Sequence, residues 1–245
     1  MIHKILITLL MLTCLSCGEN DKDSDSLIVG TAADNPPYEY IDKNNEVVGL
    51  DIDIMQLVAK ALNKKLVIKN MEFYSLLPSL DNKQLDVVIA GVSPTETRKK
   101  HFDFSNTYFT SQIVFIALKD NNIKTLEDLR GKTVAVQTGT IFENLANDGV
   151  FKDYDINILS LSNFLIAVEE LKKGSVQSIM TEEVQAKNLA DISPELEVKL
   201  LPNFESSDYA IIMPKDSKYK DQINIIIDNL MVEGKINEIK EKWLK

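Results

Sequence analysis

Most of the residue types that carry covalent or metal chemistry are scarce in this 245-residue chain. Its two cysteines are Cys14 and Cys17, so beyond residue 17 there is no disulfide framework, thiol nucleophile or Cys-ligated metal site. His3 lies near the start, and His101, in a Lys-Lys-His run, reads as a solvated surface residue that cannot form a metal cluster alone. Gly131-Lys132-Thr133 has the ending of a phosphate-binding loop, but the earlier glycine that motif needs is Leu126. Ser217 and Lys220 have a serine–lysine spacing, yet they sit in a charged stretch without supporting motifs. No cofactor is implied. What remains is charge chemistry. Arg98 follows the polar run Ser93-Pro94-Thr95. A guanidinium stays charged and donates two parallel hydrogen bonds to a carboxylate. Taken alone, an arginine after a polar loop is an ordinary solvated helix residue, and Thr95 reads as the N-cap of that helix.

Composition narrows the partners. Hydrophobic residues make up 44% and charged residues 26%, a balance that supports a packed core. The net charge of −10 opposes a nucleic-acid reader, which needs a basic face to neutralise phosphates. At the start, one lysine precedes an apolar run from Ile5 to Leu15. That run is too short to span a bilayer as a helix and suits the core of a signal peptide. The following Ser16-Cys17 resembles a bacterial lipobox, which implies a signal peptide over 1–16, lipidation of Cys17 and a polar, acidic tether over 17–26. Cys14, preceded by Thr13, is the weaker lipidation option.

The body must then position any site. Short β-type runs alternate with helical patterns from Leu27 onward. Strands are expected at 27–29, 66–68, 87–90, 114–118, 134–136, 156–159, 178–180 and 210–213. Apolar residues at helical spacing predict a helix over 50–62. Further helices are expected at 76–80, 125–129, 142–147, 164–172, 183–189, 218–233 and 235–244, the last two separated by Gly234 as cap. This alternation predicts an α/β fold with mainly parallel sheets flanked by helices.

The ordered run of motifs resembles the polar amino-acid-binding family of periplasmic-type solute-binding proteins, which serve ABC importers. The likeness rests on Gly30-Thr31 with Pro36-Pro37-Tyr38-Glu39, then Val48-Gly49-Leu50-Asp51-Ile52-Asp53, then Phe73 with Leu77-Pro78-Ser79-Leu80. It continues through Ala90-Gly91-Val92-Ser93-Pro94-Thr95-Glu96-Thr97-Arg98, Asp103-Phe104-Ser105 with Tyr108, Gln137-Thr138-Gly139-Thr140, and the ending Glu233-Gly234 with Lys242-Trp243. It implies a two-lobed fold with the cleft between lobes. Lobe 1 is expected at 27–115 plus 207–245 and lobe 2 at 116–206, with crossings near 116–118 and 207–210.

The resemblance also implies roles. An amino-acid zwitterion needs a cation for its carboxylate and an anion for its ammonium, because burying either unpaired is costly. Arg98 occupies the position that grips the carboxylate, with Ser93 as a side-chain donor and the Gly91 carbonyl as an amine acceptor. Thr140 and the Ile141 amide match donors of lobe 2, near an expected helix N-terminus. Phe73 matches an aromatic wall, with ordinary core packing as its competitor. Tyr38 is a structural aromatic with a minor claim to the solute. Three positions depart from the family: Ala32 stands where an acid is common, Asn35 where an aromatic is common, and Glu182 where an aspartate binds the ammonium. Asp34 could compensate. The missing acid at 32 leads us to expect a neutral or modified amino acid rather than a cationic one.

The partners implied are a small amino-acid-like ligand, an ABC permease and, through the lipid anchor, a membrane, with the protein acting as a monomer. Two alternatives stay open. A cyclohexadienyl-dehydratase-like enzyme shares the fold and would need a buried acid, for which Glu182 is the candidate. A ligand-sensing module is the other; such sensors continue into a membrane segment, and this chain stops at Lys245 with no second apolar span.

Overall fold

The computed structural model describes residues 25–147, 151, 154–200 and 206–244. Cys14, Cys17, the expected signal at 1–16 and most of the expected tether lie outside the described residues.

The chain begins with β1 (Ser26–Thr31). A small antiparallel sheet follows, made of β2 (Asp34–Asn35), β3 (Glu39–Ile41) and β4 (Val47–Val48). Next come α1 (Leu50–Ala61), β5 (Lys65–Asn70), α2 (Phe73–Asp81), β6 (Val87–Val88), α3 (Glu96–Lys99), β7 (Phe102–Phe104) and β8 (Phe109–Ser111). The second part holds β9 (Ile113–Leu118), β10 (Thr133–Gln137), α4 (Ile141–Leu145), β11 (Asn157–Leu161), α5 (Phe164–Lys173), β12 (Ser178–Glu182), α6 (Glu183–Ile192) and β13 (Leu196–Leu200). The chain returns through β14 (Ser207–Tyr209) to β15 (Ile212–Pro214), α7 (Lys220–Val232) and α8 (Lys235–Trp243).

These elements build two five-stranded sheets, ordered β5-β1-β6-β15-β7 and β11-β10-β12-β9-β13. In each, the first three strands are parallel and the fourth runs antiparallel to both neighbours. The sheets are therefore mixed, with one reversed strand each, and the fold is α/β with two lobes. The reversed strand is in each case the first that the chain enters after passing from the other lobe.

Both faces of each sheet are covered, so the strands are apolar without a polar face. Along β9, Ile113, Phe115 and Ala117 enter one core and Val114 and Ile116 the other, as the period of two demands. In lobe 1, Leu27 and Val29 pack under α1, α7 and α8, while Val88 and Ala90 face α2. Residue Asp53 ties α8 to α1 by accepting hydrogen bonds from Lys242 Nζ and Trp243 Nε1, both 2.7 Å.

Three expectations change in detail. The strand expected at 210–213 is shorter and shifted, β15 at Ile212–Pro214, and 210–211 join it to β14, because Tyr209 and Ile212 pair with different partners. The helix expected at 125–129 is a single 3-10 turn, Glu127–Leu129. From Ile113 onward β9 pairs within the second sheet, so the chain has already crossed before 116–118. The segments that run between the sheets are β8 and β14, paired antiparallel as a two-stranded ribbon with Ser111 opposite Ser207 and Phe109 opposite Tyr209.

Candidate ligand-binding cleft

A cavity of about 440 Å3, including its opening to solvent, lies between the two sheets. Lobe 1 lines it with Asp34, Asn35, Glu39, Phe73, Gly91, Ser93 and Arg98. Lobe 2 adds Gln137, Thr140, Ile141, Phe142, Glu182 and Gln185, and the ribbon strand β14 adds Ser207 and Tyr209.

Arg98 is held there by a local device. Thr95 Oγ1 accepts from the Arg98 amide at 3.3 Å and so caps the short helix α3, as its sequence context predicts. The guanidinium is buried, with the residue 9% exposed. Its Nη1 donates to the Ser93 carbonyl at 3.0 Å and its Nη2 to the Gly139 carbonyl at 2.7 Å. Among the described residues no carboxylate pairs with it. Burial alone lowers its pKa to about 10, which leaves it cationic at neutral pH. A buried cation with only carbonyl partners is an anion acceptor of high value, since an uncompensated buried charge is costly.

Gly139 is a point of close approach across the cleft. A Cβ at this position would lie 3.1 Å from Tyr74 Cα and 3.2 Å from Tyr74 Cβ, and its φ of +82° suits glycine alone. Next to it, Thr140 caps α4 by accepting from the Glu143 amide at 3.3 Å, and donates its hydroxyl to the Gln137 carbonyl at 2.7 Å. Ser93 Oγ and Ser207 Oγ lie 2.9 Å apart, so one donates to the other.

The acidic groups divide into three settings. Glu182 caps α6, accepting from the Val184 amide at 2.8 Å and from the Gln185 amide. It also accepts from the hydroxyls of Ser111 and, at 3.1 Å, Tyr38. Burial raises its pKa while these donors pull the other way. Four donors converge on this carboxylate and offset part of the cost of burying it, an arrangement that suits an anchor. Asp34 reaches across to lobe 2: its Oδ2 accepts from Gln137 Nε2 and from the Phe164 amide at the start of α5, both at 2.9 Å. Burial pushes its pKa to about 6. Glu39 is fully buried, accepts from Asn35 Nδ2 at 3.1 Å, and faces Asp51. Asp51 in turn accepts from the Gly91 amide at 3.1 Å and the Tyr108 hydroxyl at 2.9 Å.

Nine of the residues singled out in the sequence therefore meet around one cavity: Asp34, Asn35, Phe73, Gly91, Ser93, Arg98, Thr140, Ile141 and Glu182. Tyr38 does not line it. Its ring is fully buried in the core, edge-on to Phe109 and Tyr209 at 5.4 Å each, and only its hydroxyl reaches toward the cleft, through Glu182. Ala32 is core, while Asp34 takes an acid to the cavity two residues later, which removes the sequence-based ground for excluding a cationic solute. Sequence reasoning passed over Glu39, Gln137, Gln185, Ser207 and Tyr209. Glu39 and Gln137 lay inside quoted motif pieces, Ser207 and Tyr209 inside the expected crossing at 207–210, and Gln185 inside the expected helix at 183–189.

Residues 27–245 match the model of the bacterial extracellular solute-binding proteins, family 3. The chain belongs to this family. It is 32% identical to the arginine-binding extracellular protein ArtP of Bacillus subtilis, over 97% of this chain and 96% of ArtP. It is 28% identical to the ABC transporter glutamine-binding protein GlnH of the same organism, over 91% of this chain and 83% of GlnH. Among solved structures, an ancestral arginine-binding protein bound to arginine superposes with a TM-score of 0.85 at 36% identity, covering 90% of this chain and 99% of the other. That family assignment makes the chain an amino-acid-binding component of an ABC importer, working outside the cytoplasm. No helix among the described residues is long and apolar enough to cross a membrane.

Proposed function

We propose that this family 3 protein captures an α-amino acid by closing its lobes over it, with the ligand's carboxylate on Arg98 and with acidic groups of the cavity facing its cationic end. The observation that carries this reading is the buried Arg98 guanidinium, which lines the cavity and, among the described residues, has only the Ser93 and Gly139 carbonyls as partners. Ser93, Gly91, Thr140 and the Ile141 amide complete the polar wall, Phe73 the apolar one, and Glu182 and Tyr38 brace the far side.

Three carboxyl groups, Asp34, Glu39 and Glu182, line the cavity against one guanidinium. That imbalance supports a ligand with a cationic side chain, as does the likeness to proteins named for arginine. A neutral, glutamine-sized ligand is the second reading. It is supported by the commitment of Glu182 and Asp34 to internal donors, and by a solved relative described as an ancestral arginine-binding protein bound to glutamine. We place the lobe boundaries at the β8–β14 ribbon, with the protein acting as a monomer tethered through lipidated Cys17 and delivering to an ABC permease. The donor-rich setting of Glu182 supports binding over a dehydratase-like reaction. Calorimetric titration with the proteinogenic L- and D-amino acids tests the reading: tight binding of L-arginine or another cationic L-amino acid is expected, and no binding of any cationic or neutral member sinks it. Incubation with prephenate is expected to leave it unchanged.

A further inference from the structure

At the edge of the cavity two carboxyl groups face each other, with no cation paired to either among the described residues. Glu39 and Asp51 are both 0% exposed and close enough for each to bear on the other's charge. Glu39 Oε1 and Asp51 Oδ2 are supplied with donors from Asn35, Gly91 and Tyr108. Glu39 Oε2 and Asp51 Oδ1 are buried with no hydrogen-bond partner among the described residues. Two ionised carboxylates can only accept, so they cannot bond to each other; a single shared proton turns one into a donor and satisfies both orphan oxygens.

We propose that Glu39 and Asp51 hold one proton between them in the ligand-free protein, and that a cationic group of the bound amino acid displaces it, so that capture releases a proton. Glu39 lines the cavity while Asp51 does not, so the ligand meets the pair through Glu39. The inference rests on the ligand being an amino acid, and it names Glu39 as a group that senses the ligand's positive charge. Burial raises both members, Asp51 to about 7 and Glu39 well above its ordinary value, which favours a retained proton. The groups facing the pair reinforce this. Asp34 and Glu182 are further acids, and Tyr38, Tyr108 and Tyr209 all have raised pKa values from burial and from these neighbouring acids. The cation lining the same cavity, Arg98, is itself directed to the carbonyls of Ser93 and Gly139.

The test is calorimetry of the whole protein at pH 7.5, above the range in which Asp34 titrates, in phosphate and in Tris. Plotting observed heat against buffer ionisation heat gives the protons exchanged. About one proton released per ligand is expected, with affinity rising up to about tenfold per pH unit as pH increases. L-arginine and L-glutamine are run side by side: release with both assigns the displacement to the α-ammonium, and release with arginine alone to the side chain. Glu39→Gln is expected to abolish release, and Asp51→Asn, which leaves the cavity lining intact, to abolish it as well. Binding with no proton exchanged, or release that persists in both variants, overturns the proposal while leaving the amino-acid reading in place. Failure of every amino acid to bind overturns that reading instead.

Discussion

The two lobes share a sheet plan and divide the work of the cleft differently. Both sheets have three parallel strands, then one reversed strand, then a fifth. Lobe 1 faces the cleft with side-chain charge: Arg98, Asp34 and Glu39, the last two on the small β2–β4 sheet and its connection. Lobe 2 faces it largely with helix starts: the Thr140 cap of α4, the Phe164 amide of α5 and the Glu182 cap of α6. The lesson is that one architecture can serve two tasks. Charged side chains at the cavity are weighted toward lobe 1, while lobe 2 adds one, Glu182, at a helix start.

If lobe 1 holds the recognition, Arg98→Ala should do the most damage. Removing one partner of a buried charge pair costs about 2–5 kcal/mol, so affinity for the amino acid should drop roughly 30-fold or more. A calorimetric loss of less than threefold would break the division of labour. Gly139→Ala probes lobe 2 as the closing surface. Its new methyl meets Tyr74 only when the lobes are shut, and overpacking of about 1–3 kcal/mol predicts an affinity roughly tenfold lower, with scattering showing a more open molecule. Unchanged affinity would show that lobe 2 does not approach this closely. Tyr38→Phe cuts one bond between the lobes, from the Tyr38 hydroxyl to Glu182, and should weaken binding by about 0.5–1.5 kcal/mol.

The smallest effect is the response to pH. Asp34, Glu39 and Asp51 all belong to lobe 1, and burial raises all three above their ordinary values. The folded protein therefore binds more protons than the unfolded chain between about pH 4 and 7. Stability must fall as pH rises through that window and beyond it, the reverse of the usual paired carboxylate. The ligand-free protein should melt about 2–4 °C lower at pH 8 than at pH 5, a difference that Asp51→Asn should reduce. A melting temperature that rises over this range would contradict the protonated pair.

Much of the site was legible because it lies in local, ordered motifs. The run from Gly91 to Arg98 carries its own geometry in the Thr95 cap, and Gln137 to Ile141 likewise ends in the Thr140 cap. Glu39 was harder to see because nothing in its own segment distinguishes a surface glutamate from one buried against Asp51; that contact depends on how β3 packs on α1. Ser207 and Tyr209 reach the cavity only because β14 pairs with β8, a register that sequence pattern alone does not set for strands of three residues. The strand expected at 210–213 is met only by β15 for the same reason: its apolar run begins before the change of partners is complete.

That ribbon also governs how the molecule moves. A lone connecting strand can bend and twist in any direction, whereas β8 and β14 are stapled side by side, and twisting one drags its neighbour. The swing of one lobe against the other is thereby channelled toward a single arc. Fewer relative orientations need to be searched before the cleft fits its solute, and the entropy surrendered on capture shrinks accordingly.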